Sequence, residues 1–330
     1  MKKTFPIIII ALAVTYFVGP SPKTPDYSEN LPNVPGPGNL VEFVSKKESG
    51  LNIKPGNEAQ IVWADSSEGV KTKYAIVYLH GFTASHEEGA SIHRDFAKRY
   101  GCNLYLARLS EHGIDTDEAL LNYTAEGVWN SALEALAIGK SLGEKIIVMS
   151  TSTGGTLALK LAAIDKDVVG LINYSPNIEI NDPAAFLLND PWGLQIARLV
   201  FGGDYRTVES DDEYRKYWYD KYRLESIVQL QELVETMAVS ETFERVKCAT
   251  FNGVYYKDDE NQDEVVRVSA IRKMHDELST PDQEKWFKEF PEAKAHVIAN
   301  KARSKSFPEV KAATFEFAES ILKLNPIDLD

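Results

Sequence analysis

Short apolar segments alternate with helix-like segments along most of this chain, and nothing else in it narrows the possible folds as much. Glu58 to Trp63 and Lys73 to Leu79 have strand character, with a turn candidate at Ser66-Ser67-Glu68-Gly69 between them. Ser91 to Tyr100 reads as a helix closed by Gly101. Asn103 to Leu109 is a strand, Thr124 to Leu142 an Ala- and Leu-rich helix, and Lys145 to Met149 a strand of Ile-Ile-Val type. Gly155 to Ile164 is a helix of small and apolar residues, followed by the strand Val168 to Tyr174. Short, wholly apolar strands separated by helices predict an α/β fold: a mostly parallel sheet with helices on both faces.

The alternation stops at Ile178 and resumes at Cys248. The intervening sequence, about 178–247, is aromatic, charged and helix-like, without a convincing buried strand. Beyond it come the strand Cys248 to Tyr256, the helix Val265 to Leu278, the strand Lys285 to Phe290 and a last helix from about Pro308 to Leu324. Val310, Phe317, Ile321 and Leu324 recur at helical spacing as its buried stripe. One domain, residues 40–330, with a helical insertion accounts for this pattern. Open α/β sheets bind ligands at the carboxyl ends of their strands, so the insertion is expected to be a lid over that edge.

The N-terminus stands apart. Lys2 and Lys3 precede an apolar run from Phe5 to Val18. A basic start and a run of this length read as an export signal, too short for a full membrane span. A clean cleavage site is missing around Gly19, so residues 1–19 are expected to be either a signal peptide or an N-terminal membrane anchor. Either way an exported protein is expected, periplasmic or membrane-anchored. Pro20, Pro22, Pro25, Pro32, Pro35 and Pro37 then make residues 20–39 an extended Pro-rich linker.

Charge and cysteine content exclude some partners. The net charge of −13 repels polyanions, so no nucleic-acid partner is expected. Cys102 and Cys248 form no metal-ligand spacing and are expected to be free core residues.

The segment carrying the chemistry is Ile146-Ile-Val-Met-Ser150-Thr-Ser152-Thr-Gly154-Gly155. A buried strand ends, the chain turns on small residues and a helix begins, which lifts the hydroxyl of Ser152 above the sheet edge at a helix N-terminus. This resembles the G-x-S-x-G nucleophile elbow of the α/β-hydrolase superfamily, with Ser150 in place of the first glycine. Ile76-Val-Tyr-Leu-His80-Gly81-Phe82 resembles the same superfamily's strand ending in His-Gly. Together with the single long lid and an acid loop of D-x-V-V form, these motifs are similar to the monoacylglycerol lipase and serine aminopeptidase-like group, and to its exported bacterial members. The likeness covers about residues 40–325.

The resemblance implies an α/β-hydrolase fold and a triad in the order Ser, acid, His. It places the nucleophile at Ser152 and the acid at Asp263, just before Glu-Val-Val, ahead of Asp259 in the same loop. It places the base at His296, in the loop Phe290-Pro-Glu-Ala-Lys-Ala-His296. The oxyanion donors implied are the backbone N–H groups of Phe82 and Thr153. His80 and His112 are expected to be structural; His86, His93 and His275 match no motif and are expected on the surface.

The function these residues imply is hydrolysis of a carboxylic ester, as a carboxylesterase or lipase-like enzyme, through an acyl-enzyme on Ser152. The partner is a small-molecule acyl ester, with membrane association through the N-terminal segment. No metal or organic cofactor is expected. Hydrolysis of an amide or another acyl bond is the alternative, and a non-catalytic binding protein on the same scaffold is a third reading, disfavoured by the complete set of Ser, Asp and His.

Overall fold

The computed structural model describes residues 15–64 and 68–327. Most of the basic-apolar N-terminus, residues 1–14, and Ser66 and Ser67 of the expected turn lie outside the described residues. Seven strands form the central sheet: β1 (Gln60–Val62), β2 (Thr72–Leu79), β3 (Asn103–Leu106), β4 (Gly143–Thr151), β5 (Val168–Tyr174), β8 (Ala249–Val254) and β9 (Lys285–Glu289), in the order β1-β3-β2-β4-β5-β8-β9. β1 runs antiparallel to β3 and every other pairing is parallel. Ile146 to Met149 are fully buried because helices cover both faces of β4, which is why that strand is apolar at every position rather than at alternate ones.

The helices are α1 (Leu40–Glu48), α2 (Ile92–Tyr100), α3 (Ala125–Leu142), α4 (Thr153–Ile164), α5 (Gly193–Phe201), α6 (Asp212–Tyr217), α7 (Leu224–Met237), α8 (Ser240–Phe243), α9 (Val268–Glu277) and α10 (Phe307–Ser320). Residues of α1, α3, α4, α7 and α9 share one apolar core with the first face of the sheet, while α2 and α10 pack on the other. β2 and β4 are neighbours, yet the chain leaves β2 toward α2 on the second face and leaves β4 into α4 on the first. The two exits diverge and open a crevice at the carboxyl ends of these strands, the switch point at which open α/β sheets bind ligands.

The insertion is more divided than its sequence suggests. α7 belongs to the main core: Leu230, Leu233, Val234 and Met237 are buried in it. The part before α7 contains α5, α6 and a small antiparallel ribbon of β6 (Tyr205–Thr207) and β7 (Lys221–Arg223), strands too short and exposed to show as an apolar run. α1 is a further helix without a sequence signal, because its buried face is only Leu40 and Val44.

The proline-rich segment has no regular structure from Pro20 to Gly36, but it is laid against the domain. Trp129 Nε1 donates to the Ser28 carbonyl at 2.7 Å, Ser141 Oγ to the Pro35 carbonyl at 2.8 Å, and the Tyr27 and Thr236 hydroxyls are 2.8 Å apart. At its start, Trp192 of the insertion donates from its backbone N–H to Pro20 at 2.9 Å and from Nε1 to Thr15 at 3.0 Å. Among the described residues no helix is long and apolar enough to cross a membrane.

Candidate active site

Ser152 is the single residue between β4 and α4, and its backbone is at φ 54°, ψ −121°. A non-glycine residue holds such a conformation only where its surroundings over-determine it. Here its N–H donates to Tyr174 at 3.0 Å and its carbonyl accepts from Gly155 at 2.8 Å and Asn177 at 2.9 Å. Close approach to β2 explains Gly154: a Cβ there would lie 2.1 Å from the Leu79 carbonyl oxygen. Ser150, standing where the elbow pattern has glycine, has its own use. Its Oγ donates to Asn173 Oδ1 at 2.8 Å, Asn173 Nδ2 donates to Asn252 Oδ1 at 3.0 Å, and Asn252 Nδ2 reaches His275 Nδ1 at 3.0 Å. Register places Ser150, Asn173 and Asn252 side by side across β4, β5 and β8, so this buried polar row ties together the strands beneath the turn.

His296 and Asp263 come from the loops after β9 and β8. His296 Nδ1 is 2.7 Å from Asp263 Oδ2, and Asp263 Oδ1 accepts from the N–H groups of Val265 at 2.9 Å and Val266 at 3.1 Å. Burial disfavours the Asp263 anion, but the neighbouring His296 and the two N–H groups outweigh it and hold the carboxyl below its ordinary range. Burial likewise opposes a charged His296, yet the Asp263 charge, with Glu88 adding to it, lifts the imidazole above its usual value. The far nitrogen, Nε2, is buried and has no hydrogen-bond partner among the described residues, Ser152 included. Asp259 is exposed and accepts from the Tyr256 hydroxyl at 2.8 Å, so of the two acids weighed from sequence it is Asp263 that meets His296.

The remaining histidines are all internal. His80 accepts from Leu109 N–H at Nε2, 3.1 Å, and holds the Gly81 carbonyl with Nδ1 at 2.9 Å. His112 accepts from Thr83 N–H at 3.2 Å and donates to the Ser110 carbonyl at 2.8 Å. The expectation of exposed His86, His93 and His275 is corrected: all three are buried. Backbone and amide partners make their burial tolerable. His86 Nε2 lies 3.0 Å from the Glu58 carbonyl, His93 Nε2 lies 2.9 Å from that of His86, and His275 ends the polar row.

Ser152, Thr153, Phe82 and His296 line one cavity of about 1380 Å³. Neither the Phe82 nor the Thr153 backbone N–H donates within the described residues, so both are free to face a ligand. The Phe82 ring is fixed edge-on between Tyr123 and Tyr222, each at 5.4 Å. The insertion supplies the outer wall: Ile196, Val200 and Phe201 of α5, Leu230 of α7, and the rings of Tyr214 and Trp218. Two other rings of the insertion do not line it: Trp192 holds the N-terminal segment and the Tyr219 hydroxyl is tied to the Ile114 carbonyl at 2.7 Å. One lining residue has no sequence signal at all. Glu88 looks like half of a surface Glu-Glu pair, but it is 2% exposed and accepts from the Gly81 N–H at 2.7 Å.

A mostly parallel sheet, a serine on a positive-φ turn between its central strand and the following helix, and a His–Asp pair from the two last strand loops define the α/β-hydrolase fold, and this chain has it. Solved structures agree. One from the metagenome-derived lipolytic enzymes LipS and LipT superposes with TM-score 0.61 at 16% identity, over 80% of this chain and 98% of that one. Est1E of Butyrivibrio proteoclasticus with ferulic acid gives 0.55 at 18% identity, over 83% and 100%. The monoacylglycerol lipase of Paleococcus ferrophilus gives 0.55 at 14%, over 79% and 98%. No family model and no curated protein matches the chain.

Proposed function

We propose that this protein is a serine hydrolase acting on carboxylic esters, with Ser152 as nucleophile, His296 as general base and Asp263 as the acid that orients it. One observation carries the reading: a histidine whose Nδ1 is tied to a buried carboxylate, and whose Nε2 has no partner among the described residues, lines the same cavity as a serine held at positive φ. With Nδ1 donating to Asp263, the proton of a neutral imidazole sits on Nδ1 and Nε2 carries the lone pair. Nε2 takes the proton of Ser152 as Oγ attacks the ester carbonyl carbon. Asp263 stabilises the imidazolium, and the N–H groups of Phe82 and Thr153 receive the negative charge that develops on the carbonyl oxygen. His296 returns the proton to the leaving alcohol; it then activates a water that releases the acid from Ser152.

Ester rather than amide cleavage is favoured by the apolar wall that α5 and α7 give the cavity, suited to an acyl chain. The lipolytic enzymes, esterase and monoacylglycerol lipase that share the fold point the same way. In this reading the insertion is a lid, the substrate is a small-molecule acyl ester, and residues 1–19 export the protein or tether it to a membrane. The test combines fluorophosphonate labelling, peptide mapping and p-nitrophenyl ester turnover. The label is expected on Ser152, and Ser152→Ala should abolish both labelling and turnover. A label on Ser150, or an active alanine variant, defeats the assignment. Matched aminoacyl amides cleaved faster than the esters would replace the substrate class.

A further inference from the structure

Among the described residues, Glu88 is the one acidic side chain buried within the cavity that the mechanism above leaves without a task. It follows β2 in the same loop as the oxyanion donor Phe82, and an uncompensated buried carboxyl is costly enough to need a reason. Its Oε2 is 2.7 Å from the Gly81 nitrogen, within the range of a charge-assisted bond. The next peptide, which joins the Gly81 carbonyl to the Phe82 N–H, is gripped from its other end by His80 Nδ1 at 2.9 Å. Gly81 is the pivot between these two anchors. A side chain there would be crowded: a Cβ would lie 3.0 Å from both Glu88 Oε1 and Ser152 Cβ. Glycine at this point gives the oxyanion donor close access to Ser152, and it also leaves the donor's peptide free to rotate unless something else holds it.

We propose that Glu88 is a positioning residue for the oxyanion donor: by holding the Gly81 N–H it keeps the adjoining Phe82 N–H turned toward the oxygen that becomes negative during attack by Ser152. This rests on the serine-hydrolase reading. Burial supports it from another side, since it pushes the Glu88 carboxyl up to about 7 against the opposing pull of the Gly81 N–H and His296. Near neutral pH the group therefore spends much of its time uncharged, when it can still accept the Gly81 bond without setting a full negative charge beside a developing oxyanion. The titratable groups facing it are His296 from the loop after β9, Tyr78 of β2 and Tyr214 of α6; the Trp218 indole also points to it.

Two uncharged replacements separate anchor from charge. Glu88→Gln keeps a carbonyl acceptor for Gly81, and Glu88→Met fills similar volume without one. Steady-state ester hydrolysis is measured against pH for both, with melting temperature and the rate of fluorophosphonate labelling of Ser152. The glutamine variant is expected to keep plateau kcat within about threefold of wild type. The methionine variant should lose about 10- to 100-fold in kcat at nearly unchanged KM, short of the ~10²–10³ for deleting an oxyanion donor outright. In both, the acid limb should move to lower pH, because His296 loses a negative neighbour. If the methionine variant does not fold, Glu88→Asp replaces it: a side chain one methylene shorter, roughly 1.5 Å, cannot reach Gly81 and should show the same loss. Equal kcat in the glutamine and anchor-less variants, whether both high or both low, overturns the proposal. A wild-type protein that takes no label at Ser152 instead overturns the hydrolase reading, and the role of Glu88 falls with it.

Discussion

Replacing Asp263 by asparagine exchanges one oxygen for an NH₂ and, by the geometry here, changes the tautomer of His296. Asp263 Oδ1 is committed to the N–H groups of Val265 and Val266, at 2.9 and 3.1 Å. An asparagine keeps its carbonyl oxygen on those two donors, since turning it over would bring two N–H groups against an NH₂. Its amide nitrogen then faces His296 Nδ1, where Oδ2 now sits at 2.7 Å. Two donors cannot share that contact, so Nδ1 becomes the acceptor and the imidazole proton moves to Nε2, leaving no lone pair for the hydroxyl of Ser152. Loss of the correct tautomer in a Ser-His-Asp site costs about 10⁴ in kcat, and a range of 10³–10⁴ corresponds to ~4–5.5 kcal/mol of barrier. The fold should survive, because these contacts are remade rather than left open and a bond to a charged group is worth about 1.5–3 kcal/mol. A stopped-time p-nitrophenyl ester assay, run beside a thermal melt, measures both quantities. Asp259→Asn, at an exposed position bonded only within its own loop, should stay within about twofold of wild type. A variant at Asp263 retaining more than a tenth of wild-type kcat, or the larger loss at Asp259, would refute the assignment of the acid.

Three further outcomes are expected. The Asp263 charge raises the His296 pKa, and His296 with the Val265 and Val266 N–H groups lowers that of Asp263, so kcat/KM should fall on acidification through a value above the unperturbed ~6.5, with no second limb from Asp263 until far lower pH; activity undiminished at pH 5 would be incompatible with a histidine base. Burial drops the pKa of His93 to about 3 and of His112 to about 4, so the unfolded chain binds protons that the folded one refuses. Their stabilisation is complete above pH ~6.5 and is lost as pH falls toward those values, roughly 2.7 kcal/mol per residue over the first two units; the pH dependence of urea midpoints should lose about one proton's slope in His93→Gln, and an unchanged slope would show that His93 titrates normally. Val200 and Phe201 line the cavity while being 72% and 39% exposed, so Val200→Ala and Phe201→Ala should shift the kcat/KM ratio between decanoyl and butyryl esters several-fold and barely move the melting temperature; an unchanged ratio would remove α5 from substrate recognition.

What could be read from sequence, and what could not, follows from the range over which each signal acts. The Ser152 turn is written into ten consecutive residues, because the end of a buried strand, a turn without bulky side chains and a helix start must follow one another there. The parallel sheet is equally plain, since strands covered on both faces have to be apolar throughout. Asp263 and Asp259 could be separated only by loop position; the Asp263 carboxylate is recognised in space by the N–H groups of Val265 and Val266 and by His296, thirty-three residues further on. Polar residues buried through tertiary contacts leave no pattern to find. His86, His93 and His275 have no periodicity that marks them as internal, and each is accommodated by a partner from a distant or neighbouring turn. The same reason hides Glu88. In sequence it is the second of two glutamates in a loop; in the folded chain its neighbour Glu87 reaches outward to Arg94 while Glu88 turns inward to Gly81. Local pattern thus finds the turn that carries the proposed nucleophile. The groups proposed to fix its donors and its base have to be sought where unlike segments meet, and Glu88 is where the β2 loop, the insertion and the His296 loop do so.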